Sequence, residues 1–333
     1  MRRLAPLLPV AAALLLLAVL VLPSALPAPS PRPPRVVATV PVPAMPWDVA
    51  YDPSLGELFV PSGAFLGPPF VPGTLSVVSA ATASVVATVT VGRWPFGVAY
   101  DQAKGLLFVS DELDGTLSVV SVSNNSVVAT VKVGADPRGM AYDPSRGEVF
   151  VADFGGDTVS VVSDSAPYPV VATIVVGQSP RAVAYDPSDG RLFVTDYGSN
   201  ATSVISGSTD SVVATVGVGA GPWDVAYDPG RAEVFVADYL GGTLSVISAS
   251  TDSLVATVPA GSGPTDVAVD PSGGRVFVSD YHGDTVSVLS DAPPFRLVYS
   301  VGAGAGPVAL AYDPARGELF VADGAGSSVS VLR

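Results

Sequence analysis

A phrase close to "VAYDP" returns along this chain at a period that leaves few folds open. Aligned on it, Tyr51, Tyr100, Tyr142, Tyr185, Tyr227, Val269 and Tyr312 share one position, at spacings of 49, 42, 43, 42, 42 and 43 residues. Units of about 42 residues holding four β-like runs each mark a radial propeller rather than a stacked solenoid. In one unit the runs are "RGMAYD" (138–143), "EVFVAD" (148–153), "TVSVVS" (158–163) and "VVATI" (170–174). The turn "PSRG" separates the first two, and "FGGD" the next two. Proline and glycine stand there where tight turns need a fixed or positive φ. No such blade can bury both faces alone, so each must lean on its neighbours.

The fourth-strand phrase settles how many blades there are. It stands at 36–40, 85–89, 127–131, 170–174 and 212–216, then as "LVATV" (254–258) and "LVYSV" (297–301). The last unit supplies three strands and ends at "SVSVL", whereas the copy at 36–40 has no unit before it. Pairing residues 36–40 beside 328–332 would close the ring and leave no open edge there. The expected fold is all-β: a seven-bladed propeller of four-stranded antiparallel blades over residues 36–333, its last blade completed by the N-terminal strand.

Composition removes several functions. There is no cysteine, which rules out disulfides and cysteine-based metal or nucleophile sites. The formal net charge of −14 understates the acidity of the ring, because residues 1–35 hold four arginines and no acid. The remainder has 12 basic against 30 acidic residues. A surface of that sign, with no basic stripe, repels phosphate backbones, so nucleic acid is not expected as a partner.

Residues 1–22 read as a secretory signal or signal anchor: Arg2 and Arg3, then an uncharged apolar run from Leu4 to Leu22. Residues 23–35 read as a proline-rich, extended spacer. With Arg2 and Arg3 retained inside, the rest is exported. The expectation is an extracytoplasmic protein, secreted or held at the cell surface, with membrane contact only through its N-terminal segment.

The units resemble the YVTN β-propeller repeat family. The matches are "LFVTD" (192–196), "TVSVV" (158–162), "TLSVI" (243–247) and "VVATI" (170–174), and the likeness runs from residue 36 to 333. Phe replaces the namesake Tyr in every unit, and Asp the namesake Asn in all but the first, which has Ser62. "VAYDPSDGRLFVTDYGSN" is also similar to the NHL repeat. The resemblance implies a propeller, commonly in a secreted or surface-layer setting in archaea and bacteria, and no single activity.

Against the repeating frame, positions that vary are the ones to read for function. Phe59, Phe108, Phe150, Phe193, Phe235, Phe277 and Phe320 repeat in the second strand and are assigned to packing, as is the tyrosine column. The residue after the loop proline does not repeat: Trp47, Phe96, Arg138, Arg181, Trp223, Thr265 and Val308. Phe154, Tyr197, Tyr239 and Tyr281 share a place in the second-to-third loops, which lie on the same face, here called the top. Trp47, Phe96, Arg138, Arg181, Trp223, Phe154, Tyr197, Tyr239 and Tyr281 are therefore the candidate ligand-binding residues; capping of the channel is the plainer role.

Asp111, Asp153, Asp196, Asp238, Asp280 and Asp323 end the second strands, with Ser62 in the first unit. They are expected to accept loop N–H groups, with a calcium ion as the one cofactor such a column could attract. The Asp-Pro-Ser aspartates, such as Asp52 and Asp143, are turn chemistry. The first unit's loop 61–73, with Phe65, Leu66 and Phe70, suits a lid, a partner contact or a tolerated insertion. Asn124 and Asn200 stand in glycosylation sequons.

Only one histidine is present, His282, whereas the metal-dependent propeller lyases with similar repeats use several. No Ser-His-Asp set and no phosphate loop is present. The expectation is a monomeric, non-enzymatic binding module for cell-surface proteins or glycans. The alternatives are a structural surface-layer component and a carboxylate- and calcium-dependent hydrolase of the lactonase kind.

Overall fold

A computed structural model describes residues 34–63 and 71–333, so the signal or anchor segment, most of the spacer and the loop residues Phe65, Leu66 and Phe70 lie outside the described part. The described strands form seven antiparallel sheets, one for each repeat. In the third blade, Pro137–Asp143, Glu148–Asp153, Thr158–Ser163 and Val170–Val175 pair in sequence order. The seventh blade has the order Val36–Pro41, Ser328–Leu332, Glu318–Asp323, Pro307–Asp313. Val40 faces Val329 and Thr39 faces Ser330, so the N-terminal phrase is the outer strand of the last blade. Val40 is 2% exposed there, which fastens the ring by burial as well as by the ladder.

Burial grades from the centre of each blade outward. Six of the seven repeated phenylalanines are fully buried and Phe277 is 3% exposed. Three of them pack on the tyrosine of the following blade: Phe59 on Tyr100 at 5.5 Å between ring centres, Phe277 on Tyr312 at 5.3 Å, and Phe320 on Tyr51 at 5.3 Å. The last of these joins the seventh blade to the first. In the outer strands, by contrast, every second side chain faces water, and Val86 and Val213 remain about half exposed.

The tyrosine column does more than pack. Tyr100 donates its hydroxyl to Asp52 at 2.7 Å, Tyr51 to Asp313 at 2.7 Å and Tyr312 to Asp270 at 3.0 Å. In each case the acceptor is the turn aspartate of the preceding blade. Its other oxygen closes its own turn, as Asp52 does by accepting Ser54 N at 2.8 Å. One carboxylate therefore shapes a turn and clasps a neighbour, which explains why Asp and Tyr recur together.

The first strands surround the channel, and their ladder breaks directly after the loop proline. In six blades the register shifts there, between Pro95 and Val98 for example. In the first blade the strand is interrupted between Met45–Pro46 and Ala50–Asp52. Such bulges re-aim side chains. Here they set the two residues after each proline at the mouth of the channel.

Candidate functional site

The mouth is built on that break. The cavity at its centre, about 50 Å³, is lined by Trp47, Asp48, Phe96, Arg181, Trp223, Asp224, Thr265 and Asp266, among others. All come from the first and second positions after a loop proline. Around it the candidate aromatics touch in a nearly continuous belt. Trp47 lies 5.7 Å from Trp94 and stacks on Phe96 at 5.4 Å. Phe154 meets Tyr197 at 6.3 Å, Tyr197 meets Trp223 at 5.9 Å, and Trp223 meets Tyr239 at 4.5 Å. His282 continues the row, 5.7 Å from Tyr239 and 5.2 Å from Tyr281, with its Nε2 3.1 Å from the Tyr239 hydroxyl.

Two arginines bridge the gap between the arcs, and their surroundings differ. Arg138 lies over Phe154 at 3.5 Å and over Phe96 at 5.4 Å, and donates to Glu112 at 2.8 Å. Arg181 lies over Trp223 at 3.2 Å and over Phe96 at 4.9 Å. Only 4% of Arg181 is exposed, and among the described residues no carboxylate comes within 4 Å of it. Burial, and then the charge of Arg138, hold its pKa well below the usual arginine value. The aromatic members are half-buried, their rings tilted or edge-on to one another apart from the stacked pair Trp47 and Phe96.

A third set was not singled out from the sequence. The second residue after the loop proline reads Asp48, Gly97, Gly139, Ala182, Asp224, Asp266 and Ala309. It is small in four blades because the next strand is close. A Cβ on Gly97 would sit 2.6 Å from the Arg138 carbonyl oxygen. Where it is aspartate, the side chain bridges to the next blade. Asp48 accepts Val98 N at 2.9 Å, Asp224 accepts Val267 N at 3.2 Å, and Asp266 accepts Leu310 N. Burial raises the Asp48 pKa to about 7, against the pull of the Val98 and Val49 amides. Burial, and then the neighbouring Asp224 and Asp48, raise Asp266 well above the ordinary range, and Asp224 is raised as well. These carboxyls lie deep in the ring yet line the channel, so water reaches them while protein still strips most of their hydration. The repeat alignment contained the signal: one column mixing three aspartates with glycine and alanine.

The six second-strand aspartates are placed differently. Each lies within its own blade and turns to third-strand hydroxyls. Asp111 accepts Ser118 at 2.8 Å, Asp153 accepts Ser160 at 2.7 Å, and Asp196 accepts Ser203 at 2.7 Å. Asp238 accepts Ser245 at 2.8 Å, and Asp323 accepts Ser330 at 2.7 Å. Loop amides contribute too, Gly304 N to Asp323 at 3.0 Å and Ser262 N to Asp280. Burial raises Asp111, Asp196 and Asp238 to about 6. The loop must pass close to these carboxyls, and a Cβ on Gly92 would lie 2.3 Å from Asp111 Cγ. Among the described residues no three Asp, Glu or His side chains gather as a metal-holding group.

The sequons are also placed. Asn124 is exposed in a turn, where its Oδ1 accepts Ser126 Oγ at 2.8 Å. Asn200 is exposed, but its Oδ1 accepts Gly221 N at 2.8 Å, and Thr202 of the same sequon is fully buried.

No protein-family model matches the chain. No curated protein matches it either. Among solved structures, a chain of Kuenenia stuttgartiensis hydrazine synthase superimposes with a TM-score of 0.77 at 19% identity, over 87% of this chain and 96% of that one. At that identity the likeness concerns the fold: the chain is a seven-bladed β-propeller that shares its architecture with a propeller chain of that enzyme.

Proposed function

We propose that this protein is a non-enzymatic binding module that holds its ligand on the top face, at the mouth of the channel. One observation carries the reading: residues that vary between blades are brought together at one place, the channel mouth. Packing alone favours repetition, as the phenylalanine column demonstrates. The mouth instead assembles Trp47, Phe96, Arg138, Phe154, Arg181, Tyr197, Trp223, Tyr239 and Tyr281 into one aromatic and cationic surface. Rigid aromatics and arginine supply much binding energy for little conformational entropy. The repeat is of the YVTN type in this reading, with Phe and Asp in place of its Tyr and Asn. The setting is extracytoplasmic, and the ligand is a surface protein or glycan.

The experiment is capture from a glycan array and from envelope proteins by the intact chain, retained in mild detergent. Trp47→Ala, Trp223→Ala, Arg138→Ala and Arg181→Ala are each expected to lose the captured ligand. Unchanged capture by all four would refute a top-face site.

A further inference from the structure

Two donor groups at the mouth have nothing to donate to within the described protein. Trp47 Nε1–H is buried and has no acceptor. The Arg181 guanidinium is nine-tenths buried, with no hydrogen bond or ion pair to a described residue; its contacts are the faces of Trp223 and Phe96. Trp47 and Arg181 line the same cavity and flank the same Phe96 ring. Both side chains are donor-only, so only an acceptor can satisfy them. Water could meet the indole, but a guanidinium whose charge is disfavoured by burial and by Arg138 also calls for negative charge. Arg138 shows the contrast, since Glu112 already neutralises it at 2.8 Å.

We infer that the channel mouth is a carboxylate-binding site, in which a ligand's carboxylate accepts hydrogen bonds from Arg181 and from Trp47 Nε1 while the rest of the ligand lies on the aromatic belt. The inference rests on the top-face reading and names the chemistry it recognises. A cavity of about 50 Å³ has room for a carboxylate head. The planar fork of arginine matches a carboxylate in two-point geometry. A ring with 12 basic and 30 acidic residues disfavours a more highly charged anion. The neighbouring carboxyls do not forbid it. Asp266, hydrogen-bonded with Asp224 and beside Asp48, keeps its proton above the ordinary range. The charged groups acting on Arg181 are Arg138, Glu112 and Asp224, with Tyr197 beside it. As Asp48 ionises near pH 7, it adds negative charge to the wall, so carboxylate affinity falls with rising pH.

The test is intrinsic tryptophan fluorescence of the intact chain in mild detergent, since all three tryptophans lie at this face. Propionate is expected to give a saturable change that propionamide and inorganic phosphate do not give. Arg181→Met should abolish it, and Arg181→Lys, which keeps the charge but loses the fork, should weaken it about tenfold. D-glucuronate and N-acetyl-L-glutamate then identify the source, and tighter binding of either supports the site. A response shared by propionamide, a stronger response to phosphate, no saturable response, or an unchanged response in Arg181→Met overturns it. Capture on the top face could survive that outcome, so the two readings fail separately.

Discussion

The foot of the propeller and its mouth use the same residue types to opposite ends. At the foot, burial alone would raise Asp52, Asp164 and Asp270. Hydroxyl, amide and cationic donors outweigh it, and all three are held below the usual carboxylate range. At the mouth, burial dominates, and Asp48, Asp224 and Asp266 are raised. The arginines divide likewise, with Arg275 paired to Asp270 at 2.7 Å and Arg181 left facing two rings. A charge that recurs with its partner is part of the frame. A desolvated charge without one costs stability and persists where something else is gained.

Changes to the frame should have the largest effects. Deleting residues 36–41 removes the outer strand of the seventh blade and uncovers Ser328–Leu332, and should lower Tm by about 10 °C or more. An unchanged melt would disprove closure by that strand. Phe193→Ala, at a fully buried position, should cost about 3–5 kcal/mol in denaturant unfolding. Tyr100→Phe removes the clasp to Asp52 and should cost about 1–2 kcal/mol, because the acceptor is ionised and the site only partly buried. At the mouth the sign should reverse. Arg181→Met removes an unpaired buried charge and should leave Tm unchanged or raise it; a loss comparable to that of Phe193→Ala would make Arg181 part of the frame.

The pH dependence gives a smaller test. Asp48, Asp111, Asp196 and Asp238 titrate at about 6 to 7 in the fold, above the ordinary aspartate value. Between about pH 4 and 7 the unfolded chain has released protons that the fold retains, so raising pH favours unfolding there. Asp52, Asp164 and Asp270 act the other way, and their contribution is lost as pH falls below about 4. Tm should therefore decline as pH rises from 4 to 7, and less steeply in Asp48→Asn. A Tm rising over that interval would contradict the raised values.

Much of the frame was legible because a closed ring imposes one environment seven times. The spacing of Tyr51 through Tyr312 implied the blades, and the isolated VVATV at 36–40 implied the closure. The phenylalanine column implied the core, since the same face meets the same neighbour in every blade. The expectation for Asp111 and its equivalents was nearer on location than on partners. Loop amides contribute, but serine hydroxyls of the third strand lead. That pairing spans seven residues in sequence, and only a formed hairpin brings it into register.

The mouth was legible as a list and not as a surface. Variation after the loop proline pointed to Trp47, Arg138, Arg181 and Trp223, because repetition elsewhere made change visible. Alignment alone did not connect Arg181 with Phe96 of a blade two units earlier, nor place Asp48 beside Asp224 and Asp266. Those meetings join blades that do not follow one another in the chain, and the bulge after each proline decides which side chains turn inward. Sequence periodicity reports what each blade shares with the next, so the architecture followed from the chain alone. Which charges lose their water and their partners depends on where seven different loops converge, and the tertiary structure decided that.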